Sequence, residues 1–241
     1  MKLDNMNNQS PNRFQATGVN IGALNKFYAK VYAIFAAGLG LSALTAYLGA
    51  NVFKYQVLSF IDRFPLGFWG LWIIQLILVV VMSRKASKNP ALTMAGFLVY
   101  SLLTGVTLTV TLMVYSQATV VQAFVTAMVT FAGAAAVGMF IKKDLSIFGR
   151  IGIILVWGLI ITMVLNAFVF HSTGLDLVLA IIGVVVFTGL TAYDNQMIRK
   201  YYFQFQNQEN TGIAAFCALQ LYLDFINIFL YLLRIFGYDD N

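Results

Sequence analysis

Seven apolar runs divided by short polar punctuation constrain this chain more than any other feature. They fall at roughly 31–50, 66–83, 91–115, 118–141, 148–170, 176–198 and 213–236. A helix crosses ~30 Å of hydrocarbon with about 20 residues at ~1.5 Å each, and these runs have that length. In lipid every backbone N–H and C=O must be bonded within the chain, so such runs fold as helices. Of the 241 residues 60% are hydrophobic and only 10% charged, whereas soluble domains carry about 25% charged residues. The expected fold is an all-α integral membrane protein with seven transmembrane helices over residues 31–236. A polar N-terminal tail, 1–30, precedes them and a short C-terminal tail, 237–241, follows. The lipid bilayer is the first partner.

The formal net charge is +6, yet the basic residues are scattered in ones to threes between apolar runs. That pattern offers no groove for nucleic acid. It reads instead as a topology signal: twelve Lys and Arg fall on one side of the alternating runs, and only Lys54, Arg63 and Arg234 on the other. The N-terminus is expected to be cytoplasmic and the C-terminus outside, in the cell membrane. The first run exceeds the ~7–15 residues of a signal-peptide core, so cleavage is not expected. Cys217 is the single cysteine and excludes an internal disulfide. No phosphate-binding loop, nucleophile elbow or HExxH is present, so neither an enzyme nor a cofactor is expected. The three prolines (Pro11, Pro65, Pro90) avoid the middle of every run, and no paired broken segments suggest a secondary transporter. Small residues four apart, Gly38 with Ser42 and Ala134 with Gly138, mark close helix packing.

Most acidic residues sit in tails or beside loops. Asp194 and Asp224 do not. Within the last run Gln220, Asp224, Asn227, Tyr231 and Arg234 share an arc of about 80° at ~100° per residue, with Tyr222 a polar exception. A polar stripe on an apolar helix must face protein or water, so this helix is expected to be surrounded by the others on that face. Thr188, Thr191 and Asn195 give the preceding run a polar side near Asp194. Counted from the ends of the apolar runs, Asp194 lies ~6 Å and Asp224 ~16 Å deep, a mismatch that only tilt would remove. Two carboxyls sharing a low-dielectric site cannot both ionise cheaply, so they hold one proton between them. The structural alternative is a single interhelical hydrogen bond. Arg84, closing the second run, is the nearest strong cation. Thr104, Thr107 and Thr111 stack on one helix face, Gln75 is an amide inside the second run, and His171 stands in a loop without metal partners.

"AYDNQMI" at 192–198 and "ALQLYLDFINIFLYLLRIFG" at 218–237 resemble the Bax inhibitor-1 family, as do "KKDLS" at 142–146 and "TGVTL" at 104–108. The resemblance implies six helices wrapped around a central seventh, C-terminal one. It also implies a pH-sensitive calcium leak in which Asp194 and Asp224 bond to each other as sensor and gate, with calcium passing or binding near them. In that picture Arg84 is the counter-ion that takes up Asp194 when the pair changes protonation. The family often has an acidic residue in its second helix, where this chain has Gln75. The competing expectation is a regulator that binds a membrane protease or channel in stress control, using the tail 1–30 and transporting nothing.

Overall fold

A computed structural model describes residues 21–205 and 211–238. Eight α-helices follow one another: α1 (Ile21–Asn51), α2 (Lys54–Arg63), α3 (Pro65–Lys85), α4 (Pro90–Val114), α5 (Gln117–Phe140), α6 (Ser146–Leu165), α7 (Thr173–Gln204) and α8 (Thr211–Phe236). A five-residue π turn, Asn166–Phe170, extends α6. No strand occurs among the described residues.

Short polar residues set the helix starts. Asn89 accepts the Leu92 N–H at 3.0 Å with Pro90 in the first turn of α4. Ser116 and Ser172 do the same for α5 and α7 through Thr119 and Leu175. Each supplies an acceptor for an amide the helix cannot bond itself. The turn into α7 is closed by Asn166, whose side chain bonds both the N–H and the carbonyl of Ser172.

Six of these helices are long and apolar enough to cross a membrane among the described residues: α1, α4, α5, α6 with its π turn, α7 and α8. The second expected span corresponds to α3, which has 21 residues but is not among those six, so the count of seven is not established. The N-terminal boundary also differs. Residues 21–30 are helical rather than tail, because Leu24, Phe27 and Val31 continue one buried face of α1 while Lys26 stays outside. Residues 1–20 of the expected tail and 239–241 of the C-terminal one lie outside the described residues.

Helix α8 is the axis of the bundle. Within its most apolar 18 residues 67% are buried, against 11% for α6. It packs on α1, α4, α5 and α7 and touches α3. Helix α6 packs chiefly on α7 and reaches α8 through Met163, whose sulfur accepts the Tyr231 hydroxyl at 3.6 Å. The remaining surface is Leu, Ile, Val and Phe exposed to what would be lipid, as Ile154 and Val185 illustrate.

Small residues set the spacing, as their four-residue pattern suggested. A Cβ on Gly138 of α5 would meet the backbone carbonyl of Ala192 in α7, and one on Gly38 of α1 would meet Phe97 and Ser101 of α4. Backbone cannot move aside as a side chain can, so the α5–α7 approach depends on glycine at 138.

Candidate functional site

Asp224 projects from the middle of α8 toward α7 and is 3% exposed. Its carboxyl lies within hydrogen-bonding reach of the Asp194 carboxyl and close to Thr191, whose hydroxyl donates to the Phe187 carbonyl at 2.8 Å. Helix length reduces the depth mismatch expected from hydropathy. Helix α7 runs on through Arg199 and Lys200 to Gln204, so Asp194 sits about 15 Å from its end. Asp224 sits about 20 Å from the start of α8 at Thr211. The mismatch narrows from about 10 Å to about 5 Å, which the side chains span.

Asp224 Oδ2 is buried and receives no N–H or O–H from any neighbour. A buried acceptor without a donor is costly, and two ionised carboxylates in contact would add repulsion. One proton held on the pair removes both penalties, since it provides the missing donor. Among the described residues no ion pair joins a cation to either group. Arg84 is exposed in the last turn of α3, and the two ion pairs among the described residues join Lys200 to Asp144 and Arg234 to Asp176. The titratable neighbours of Asp194 are Tyr193, Tyr201 and Cys217.

The rest of the stripe follows the α7 contact toward the far end of the bundle, but with unequal partners. Tyr231 packs its ring on Phe187 of α7 and covers Gly183. Arg234 approaches Asp176 at 3.5 Å. Asn227 instead bonds back to its own helix at Leu223, and Gln220 is half-buried. Calcium takes six to eight oxygens. Among the described residues no three His, Cys, Asp or Glu side chains gather.

Two arrangements escaped the sequence reading. The first surrounds Asn195, which is fully buried beside Asp194. Its amide donates to the Ala135 carbonyl of α5, its Oδ1 accepts from Tyr32 at 2.8 Å, and its main-chain carbonyl accepts from Tyr28 at 3.2 Å. Helices α1, α5 and α7 are thus tied at the residue next to the pair. The second lies on the opposite face of α8. The Tyr222 hydroxyl meets Ser42 Oγ at 2.5 Å, with Ser101 and Thr104 also in reach. Ser42 donates to the Ser101 carbonyl at 2.7 Å, or to that of Gly38 at 3.0 Å, and Gln75 Nε2 donates to Thr104 Oγ1 at 3.0 Å. Gln75 thus links α3 to α4. Thr104 and Thr107 bond back to carbonyls of their own helix. The signal for this cluster was Tyr222 itself, the polar residue that did not fit the stripe.

At the neighbouring end of the bundle the "KKDLS" loop is fastened to α7. Gln196 donates to the Lys143 carbonyl at 2.8 Å and accepts from the Leu145 N–H at 2.9 Å. Asp144 takes Lys200 at 2.8 Å and the Ser146 hydroxyl at 2.6 Å, and these bonds hold its carboxyl down at about 2.

Residues 24–241 match the family described as Inhibitor of apoptosis-promoting Bax1. The chain belongs to the Bax inhibitor-1 family. It is 42% identical over 214 residues to the Lactococcus lactis protein YrjE, covering 89% of this chain and 91% of that one. It is 38% identical over 218 residues to the inner membrane protein YbhL of Escherichia coli, covering 89% and 92%. A Streptococcus pyogenes relative described as an uncharacterized membrane protein is 39% identical over 217 residues, covering 90% and 94%. This Bax inhibitor-1 family member is a multi-pass membrane protein.

Proposed function

We propose that the protein is a proton-gated cation leak, with Asp194 and Asp224 as sensor and gate and calcium as its cargo. The observation that carries this reading is the contact of the two carboxyls with Asp224 Oδ2 lacking a donor. With one proton held on the pair, the carboxyls bridge α7 to α8 and the bundle is closed. As pH rises and that proton leaves, two like charges face each other in a low-dielectric contact. The α7–α8 contact then loosens. Such a change is a local electrostatic event acting on a two-state element. In this reading Arg84, exposed in the last turn of α3, takes up the freed Asp194, as the family resemblance implies. The proposal places this end in the cytoplasm, as the Lys and Arg count suggests. Calcium, rather than another cation, is favoured by the family resemblance.

The test is calcium entry into sealed vesicles carrying the purified protein at pH 6, 7 and 8, beside Asp224→Asn. Flux that varies with pH in the parent and not in the variant supports the gate. No flux above empty vesicles at any pH would leave the pair as an interhelical bond and direct attention to regulation of a membrane-protein partner. That second reading rests on the tail, most of which lies outside the described residues.

A further inference from the structure

Helix α2 (Lys54–Arg63) joins α1 to α3, and none of its residues is buried. On a helical wheel at ~100° per residue most of its side chains fall on an apolar or a polar face. Val57, Phe60 and Ile61 fall within about 100° of one another, while Tyr55, Gln56, Ser59, Asp62 and Arg63 occupy about 120° opposite, with Lys54 and the exposed Leu58 between the two faces and Phe53 and Phe64 flanking the helix at its caps. The apolar face is only partly satisfied by the protein. Val57 and Ile61 are half-buried, whereas Phe53, Phe60 and Phe64 remain 49%, 47% and 54% exposed. Phe60 and Phe64 lie together, with ring centroids 5.7 Å apart, over the backbone of Gly67 in α3. Three exposed phenylalanines in so short a segment would be costly in water.

We propose that α2 is an in-plane amphipathic helix seated in the lipid headgroup boundary, its phenylalanines inserted among the acyl chains. Three observations select lipid as the occupant. Helix α2 begins three residues after α1 ends, and α1 is a membrane-crossing helix of this multi-pass protein. Its chain position therefore lies at the level where such a helix leaves the bilayer. Large apolar side chains are exposed on both flanking helices as well, Leu44 and Tyr47 on α1 and Trp72 and Ile73 on α3. At ten residues α2 is too short to cross, yet its length and polarity suit a helix lying in the interface. Lys54 and Arg63 cap its two ends with cations that can reach headgroup phosphates.

The unmodified protein provides the first test. Trypsin cuts after Lys54 and Arg63, so α2 is released as the peptide 55–63. In vesicles made with a phospholipid that carries a diazirine high on its acyl chain, illumination should add lipid mass to this peptide. A lipid-free peptide, in samples whose membrane-crossing helices are labelled, would overturn the proposal. A second test uses single cysteines, since native Cys217 is buried. Spin labels at Val57 and Phe60 should be reached by oxygen several-fold more than by a water-soluble nickel reagent, and labels at Gln56 and Ser59 the reverse. Equal access of the nickel reagent to both faces would mean that α2 stands in water. Shielding of the apolar face from both reagents would mean that protein, such as a second copy, covers it. Either result refutes lipid seating.

Discussion

The two faces of α8 solve the same problem in opposite ways. Toward α1 and α4, Tyr222 enters a cluster of hydroxyls and one amide in which donors and acceptors are matched. Toward α7, at almost the same height, Asp224 meets a second carboxyl with one oxygen left without a donor. The hydroxyl face is neutral and indifferent to pH in the physiological range. The carboxyl face is complete only while a proton is present. In the proposed function helix α8 thus has one side that fixes it in the bundle and one that responds to pH. A satisfied buried network rigidifies, whereas a partly satisfied one is where alternatives are available.

The largest effect should come from the carboxyl face. Asp224→Asn or Asp194→Asn supplies a permanent donor, so calcium flux in vesicles should lose its pH dependence while the protein stays folded. A pH profile unchanged in both variants would erase the functional contrast between the faces. Gly138→Ala comes next. Its methyl would press on the Ala192 carbonyl, two residues from Asp194, and should cost about 1–3 kcal/mol in reversible unfolding. Because the disturbance reaches the pair, it should also shift the pH midpoint of flux. A loss of stability with an unmoved midpoint would show that α7 spacing does not tune the gate.

Tyr222→Phe sharpens the comparison from the other side. Removing the hydroxyl should destabilise the bundle by about 1 kcal/mol, the scale of interhelical hydrogen bonds in membranes. The pH profile of flux should be unaltered. A flattened profile would mean that the two faces act as one network. The smallest effect is expected for Asp144→Asn. Bonds from Lys200 and Ser146 lower its carboxyl to about 2, so the stabilisation it gives is present above the unfolded value of about 3.9. That stabilisation is lost only as pH falls toward 2. Between pH 6 and 8 the variant should therefore keep the parent's pH profile, with at most a looser α5–α6 loop by hydrogen exchange.

Much of this was legible in the sequence because lipid narrows the choices. Apolar length forces helices, and a carboxylate or amide inside such a helix must turn inward, which singled out Asp194, Asp224 and Gln75. The stripe on α8 was less legible. Periodicity gives a direction around one helix, and so Tyr231 and Arg234 were correctly placed on a common face with Asp224. It gives no partner, and Asn227 turned out to bond its own backbone. Asn195 looked like one of several polar residues near Asp194. Only the approach of α1 and α5 makes it the point where three helices are tied. The amphipathic character of α2 was present in the letters too, but a ten-residue segment between apolar runs reads as loop when length is the criterion.

Composition and hydropathy by themselves determined that this chain is a helical membrane protein with two carboxyls it must shelter, since those conclusions depend only on solvation. The level at which the carboxyls meet was decided by the tertiary structure. Hydropathy ends α7 at its first cations, whereas the helix continues to Gln204 and brings Asp194 to within about 5 Å of the depth of Asp224. Which face of α8 is matched and which is left short of a donor was decided there as well. Both outcomes arise from contacts between residues distant in sequence, such as Ser42 with Tyr222, and no local pattern encodes them.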